Sequence, residues 1–177
     1  MRVIGGEFRS RTLKTPPGDA TRPTPDRLRE SLFSILTAQI EDAVFLDAYA
    51  GSGSVGIEAI SRGARRAIFI EKSRAAMRAL QQNIQALAIQ DRCEVHSDSA
   101  ASIITRFEAD IVFLDPPYPR ELEYVRCLEA LGAAPRPLVI VQHASRFTNN
   151  LKDQYGALRR VRLVCQGDNT LSFYEPR

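Results

Sequence analysis

The chain has 177 residues, 44% of them hydrophobic and 25% charged, with a net charge of +3 and a pI near 8.9. That length sets an expectation of one domain, residues 1–177, large enough to bury about 70% of its unfolded surface, and no apolar run reaches the roughly 18 residues that a membrane helix needs. Nothing resembles a signal peptide, and Cys93, Cys127 and Cys165 are odd in number, far apart and without a histidine at ligand spacing; disulfides and a structural zinc are therefore not expected, and the thiols read as reduced core residues of a cytoplasmic protein.

In chain order, Arg2 to Ile4, the turn Gly5-Gly6 and Phe8 to Leu13 predict a hairpin or bent pair of strands. In the first thirty residues Arg2, Arg9, Arg11, Lys14, Arg22, Arg27 and Arg29 face only Glu7, Asp19, Asp26 and Glu30. Residues 1–22 thus form a basic extension ahead of a core spanning 23–177, with Arg9, Arg11, Lys14 and Arg22 as candidate RNA contacts. Arginine outnumbers lysine 21 to 3 across the chain, so single arginines elsewhere, such as Arg65-Arg66 and Arg159-Arg160-Arg162, read most simply as solvated faces. Thr15 to Arg22 is a loop. Thr24 caps a predicted helix whose first residue is Pro25 and whose apolar face is Leu28, Leu32, Ile35 and Leu36.

The strand-like Val44 to Leu46 runs into Asp47-Ala48-Tyr49-Ala50-Gly51-Ser52-Gly53-Ser54-Val55-Gly56, and a helix follows over Val55 to Arg62. Gly51 and Gly53 admit a ligand close to the backbone at a helix N-terminus. A second strand, Ala67 to Ile70, ends in Glu71, at about the 20-residue spacing of an acid that binds ribose hydroxyls. Together these predict a nucleoside cofactor. Asp47, at the strand end before the glycines, faces a pyrophosphate unfavourably but suits the cationic amino-acid end of S-adenosylmethionine. Ser73 caps the next helix, with Met77, Leu80, Ile84 and Leu87 inward. A third strand, Cys93 to His96, leads to Ser97-Asp98-Ser99, where Asp98 can accept from the adenine amine and the Ser99 amide can donate to its ring. The Arg22-Pro23-Thr24 segment is placed to cover the methionine end.

After the apolar run Ile111 to Leu114 comes Asp115-Pro116-Pro117-Tyr118. A nucleobase amine is a poor nucleophile because its lone pair is delocalised into the ring. The Asp115 carboxylate and the Pro116 carbonyl can each accept one N–H and bend that pair out of plane. The prolines fix the turn, and Tyr118 can stack on the base. A helix over Glu121 to Leu131, a strand over Pro137 to Gln142 and a hairpin of Arg159 to Cys165 with Thr170 to Tyr174 complete the chain. The predicted architecture is α/β: a Rossmann-like class I methyltransferase with a seven-stranded, mostly parallel sheet, a C-terminal antiparallel hairpin and a short N-terminal β extension. The acidic strand ends then share the edge where such sheets bind ligands.

These residues leave guanine N2 and adenine N6 both open as the methyl acceptor, and a non-catalytic RNA-binding protein on the same fold is the alternative of another class. MRVIGGEF at Met1 to Phe8, RPTPDRLRE at Arg22 to Glu30, LDAYAGSGSVGIEAISRGA and VFLDPPY, in this order, resemble the bacterial small-subunit ribosomal RNA guanine-N2 methyltransferase D family over nearly the whole chain. The resemblance implies methylation of one guanine of 16S ribosomal RNA with S-adenosylmethionine as cofactor, on RNA or within a small-subunit particle. It implies cofactor contacts at Asp47, Gly51, Gly53, Glu71 and Asp98, and a catalytic loop at Asp115 to Tyr118. Many relatives carry Phe where this chain has Tyr118, and either ring can stack. A monomer without a metal is the expectation.

Overall fold

The computed structural model describes residues 1–16, 26–117, 121–133 and 137–177. Strands β1 (Val44–Asp47), β2 (Arg66–Ile70), β3 (Cys93–His96), β4 (Ile111–Leu114) and β5 (Leu138–Ala144) are parallel. They alternate with helices α2 (Ser54–Ser61), α3 (Arg74–Leu87), α4 (Ala100–Ile103) and α5 (Glu121–Ala133). Helix α1 (Asp26–Ile35) precedes them, and β6 (Gln154–Tyr155), β7 (Leu158–Gln166) and β8 (Asn169–Pro176) close the sheet antiparallel. The strand order is β3-β2-β1-β4-β5-β8-β7-β6. Eight strands stand where seven were expected, because the two residues of β6 pair only with the start of β7 and are too short for a periodic signal.

Strand alternation divides the core between two faces. Phe45, Ala67, Phe69, Ile111, Phe113 and Ile140 face α1, α2 and α3, where Leu28, Leu32, Val55, Ile57, Leu80 and Ile84 are buried. On the other face, Leu46, Ile68, Val112, Leu114, Val139 and Val141 meet α4 and α5 through Ile103, Tyr124, Cys127 and Leu128. Strand β4 is buried at every residue, as expected of a central parallel strand. Ser73 caps α3 as its sequence suggests, its hydroxyl oxygen accepting from the Ala76 amide at 3.4 Å. Met77, expected inward, is half-buried. Cys127 is buried and Cys93 half-buried, but Cys165 is exposed on β7, so it is not the core thiol expected of it; β7 lies outside β8, and only β6 adjoins its first two residues.

The N-terminal extension differs from the expected strands. Its only strand-like pairing among the described residues is one antiparallel bridge, Arg2 with Thr12. The reason lies in helix α2, which takes the donors that a β ladder would use. The fully buried Glu58 carboxylate accepts from the Ile4 and Gly5 amides, each at 2.8 Å, and from Arg62 Nε at 2.7 Å. The Ser61 carbonyl and hydroxyl take the Glu7 and Phe8 amides. Hydrogen bonds to a charged group contribute about 1.5 to 3 kcal/mol each, enough to outweigh a short exposed hairpin. Gly6, at φ 77°, lies so close to the Ser61 carbonyl that a Cβ would sit 1.7 Å from its oxygen; only glycine lets the extension seat there.

Candidate functional site

At the carboxyl edge of the sheet the chain reverses its winding between β1 and β4, the position at which open α/β sheets form a crevice. Along this edge, in the order of the strands, lie Asp98 two residues past β3, Glu71 directly after β2, Asp47 closing β1 and Asp115 directly after β4. The four acids that the sequence singled out thus fall at the same edge of four adjacent strands, in that order.

Asp47 is 1% exposed. Its Oδ2 accepts from the Gly56 amide at 3.1 Å, across the mouth of α2. Burial pushes its carboxyl up to about 7, and the Glu71 charge adds to the rise while the Gly56 hydrogen bond opposes it. Glu71 organises the glycine loop: Oε2 accepts from the Gly51 amide at 2.7 Å and Oε1 from the Ser73 amide at 2.6 Å. Each oxygen keeps a second acceptor direction for a ligand hydroxyl. The two glycines of the loop differ. A Cβ at Gly51, φ 56°, meets nothing within 4 Å, whereas at Gly53, φ 83°, it would collide with Leu80 Cδ1 at 2.3 Å. Gly51 therefore borders open space, and Gly53 seats the loop on α3. Asp98 is exposed beyond β3, and Ser99 opens α4 half-buried.

On the other side of the crevice Asp115 is half-buried, Pro116 buried and Pro117 exposed. Tyr118, Thr24 and Arg22 lie outside the described residues. Arg9, Arg11 and Lys14 have exposed side chains, and Arg11 Nη2 donates to the Ala86 carbonyl at 3.2 Å. Of the arginines read as solvated faces, Arg66 pairs with Glu94 and Arg160 with Asp153.

A family model described as Conserved hypothetical protein 95 matches residues 1–175. Ribosomal RNA small subunit methyltransferase D of Escherichia coli strain K12 is 41% identical over 135 residues, 75% of this chain and 68% of that protein. The chain belongs to the small-subunit ribosomal RNA methyltransferase D family. The methyltransferase D of Haemophilus influenzae is 37% identical over 123 residues, 67% of this chain and 64% of that one. The solved structure of Escherichia coli yhhF superposes with a TM-score of 0.85 at 31% identity, covering all of this chain and 98% of the other. The Thermus thermophilus 16S rRNA N2 G1207 methyltransferase RsmC, solved with AdoMet and guanosine, shares the fold at a TM-score of 0.70 and 20% identity, over 90% of this chain and 45% of its own.

Within this methyltransferase D chain several buried or half-buried polar groups beside the glycine loop and the extension were not singled out by the sequence. Asn83 of α3 is buried; its Nδ2 donates to the Ser52 and Lys14 carbonyls, each at 2.9 Å, and its Oδ1 accepts from the Lys14 amide at 2.8 Å. One side chain thus ties the basic extension to the glycine loop. The Tyr49 hydroxyl donates to Glu123 Oε2 at 2.9 Å and lies 3.4 Å from Cys127 Sγ, both on α5. Burial pushes the Tyr49 hydroxyl and the Cys127 thiol up, the latter to about 11, so both stay protonated near neutral pH. Arg29 of α1 is fully buried and donates to the Arg2 carbonyl at 2.8 Å. An asparagine in a leucine-rich helix face was the one local signal among these: a polar residue at an inward position calls for a partner.

Proposed function

We propose that this protein is an S-adenosylmethionine-dependent methyltransferase that modifies the exocyclic N2 amine of one guanine in 16S ribosomal RNA. The observation that carries the reading is the row Asp98, Glu71, Asp47 and Asp115 on four neighbouring strand ends beside a glycine loop, in a chain of the methyltransferase D family. That kinship supports ribosomal RNA as the substrate class, and guanine as the base is what the resemblance of the sequence motifs implies.

The residues present fit the cofactor. Open space beside Gly51 adjoins Glu71, whose spare acceptor directions suit ribose hydroxyls; Asp98 and the Ser99 amide suit adenine; Asp47 suits the ammonium end, and Thr24 the cover over it. When bound, the cofactor supplies an electrophilic methyl group on a sulfonium sulfur. Asp115 and the Pro116 carbonyl then hold the two hydrogens of the guanine amine and turn its lone pair out of the ring plane. Tyr118 stacks on the base, which offsets part of the few kcal/mol needed to unstack or unpair it. Positioning supplies most of the acceleration. The extra proton of the methylated amine leaves to Asp115 or to water, and no further general base is required.

Nucleoside mass spectrometry of 16S ribosomal RNA from cells lacking the protein tests this reading. N2-methylguanosine should fall by one residue per small subunit and return with the wild-type gene. Loss of N6-methyladenosine with N2-methylguanosine unchanged would make the enzyme an adenine methyltransferase, and no change in either would leave a protein that binds RNA without modifying it. The expected setting is the cytoplasm, with the protein acting as a monomer on the small-subunit particle.

The charge distribution supports approach of RNA over the extension. Lys14 and Arg78 line a groove between the extension and α3, and Lys14 adjoins the glycine loop through Asn83. The recess at the opposite end of the sheet is lined by Glu41, Asp42, Asp110 and Glu175, carboxylates that repel phosphate. Replacing Arg9, Arg11 and Lys14 together with alanine should weaken RNA binding and lower its salt dependence by a slope of about 0.7 to 0.9 per lost phosphate contact. Cofactor binding should persist, because Asn83 holds the Lys14 backbone and not its ammonium group. Filter binding across a salt series measures the slope; an unaltered slope would leave these cations as solvated surface.

A further inference from the structure

Gln142 is 6% exposed, and its Oε1 is buried with no hydrogen-bond partner among the described residues. A buried acceptor left unpaired forfeits its hydrogen bonds to water without replacing them, so its place in the sheet matters. Strands β4 and β5 pair in register from Ile111 with Leu138 to Leu114 with Val141; continued one residue past the end of β4, that register would set Gln142 level with Asp115. Pleating puts residues two apart on one face. Gln142 therefore shares the face of Ile140, its cross-strand partner Leu171 and Phe113, and Asp115 follows Phe113 by two residues, directly past the end of β4. Neighbouring strands lie about 4.8 Å apart, within reach of two side chains that converge on adjacent atoms of one ring.

We infer that Gln142 is a specificity-determining residue that accepts a hydrogen bond from the N1–H of the target guanine while Asp115 and Pro116 hold the N2 amine. This rests on the guanine reading above. Guanine presents two adjacent donor groups on its Watson–Crick edge, N2–H and N1–H. Adenine presents an amine beside a bare N1 lone pair, which opposes an acceptor. A side-chain oxygen next to the amine-binding carboxylate thus distinguishes the two bases at the atom that differs, and guanine supplies the donor that Oε1 lacks within the protein. Reading a flipped base along this edge is the general habit of enzymes that act on bases.

The test uses small subunits reconstituted with 16S ribosomal RNA carrying guanine, 2-aminopurine or adenine at the methylated position. 2-Aminopurine keeps the N2 amine but has no hydrogen on N1. The wild-type protein should favour guanine over 2-aminopurine in kcat/KM, and Gln142→Leu should lower that ratio by roughly tenfold or more, mainly through loss of the guanine rate. The ratio is internal to each variant, so a general loss of activity cancels, and calorimetry with S-adenosylmethionine verifies a folded protein. Gln142→Glu, which retains an acceptor, should keep the preference. A guanine preference unchanged in Gln142→Leu, or collapsed in Gln142→Glu, would overturn the assignment and leave guanine methylation standing. Methylation of the adenine particle in place of the other two would overturn the guanine reading and this assignment with it.

Discussion

Asp115→Ala should cut methyl transfer by at least about a hundredfold, the scale on which loss of orientation at a reacting atom is felt, while S-adenosylmethionine affinity changes little. The asymmetry comes from position. Asp115 follows β4, on the far side of the crevice from Glu71 and Asp98, which follow β2 and β3. Its proposed partner is the target amine and not the nucleoside. Single-turnover kinetics on small subunits lacking the methyl group, with calorimetry of the cofactor alone, separates the two effects. Asp115→Asn keeps one acceptor oxygen and loses the charge, so it should fall between alanine and wild type. A fall in cofactor affinity as large as the fall in rate would move Asp115 into the cofactor site and leave the amine to Pro116.

The second large effect is a dependence of cofactor binding on pH through Asp47. Its carboxyl ionises near 3.8 in the unfolded chain and near 7 in the folded one, so between these values the folded protein binds the extra proton. Stability from this group is therefore full at low pH and is lost as pH rises from about 4 to 7, with a limiting slope of about 1.4 kcal/mol per pH unit. A cation placed beside the carboxylate reverses the balance. Cofactor affinity should rise by up to about tenfold per pH unit toward pH 7 and then level off, with up to one proton released on binding below pH 7. Calorimetry in buffers of different ionisation enthalpy counts that proton. Asp47→Asn should abolish the release and flatten both dependences; a wild-type protein that binds the cofactor with no proton released would separate Asp47 from the ammonium group.

Both effects trace to residues legible in the sequence, because local pattern reports well on a buried parallel strand and on what ends it. Ile111 to Leu114 reads as apolar because both its faces are covered, and the acid after it stands out. The alternation of such runs with helices implied a parallel sheet, and the spacing from Gly51 singled out Glu71, although its hydrogen bond to the Gly51 amide at 2.7 Å was not foreseen. Features held by distant partners left no such mark. Glu58 meets Ile4 and Gly5 across more than fifty residues of chain, and Asn83 meets Lys14 across sixty-nine. From sequence the extension showed apolar and glycine spacing that suits strands, and nothing local reported that helix α2 would take its amides. Helix α4 spans four residues, too few for a helical period to emerge. Gln142 read as the last residue of a strand, since only the register with β4, continued past its end, sets it level with Asp115.

The Asn83 bridge has a thermodynamic consequence. The same amide group holds the Ser52 carbonyl of the glycine loop and both backbone polar groups of Lys14, so neither segment can shift without disturbing the hydrogen bonds of the other. With RNA captured on the extension and the cofactor at the glycine loop, as proposed above, the two bindings would be linked equilibria. On those assignments, whatever factor RNA on the extension imposed on the cofactor's dissociation constant, the cofactor would have to impose on the RNA's.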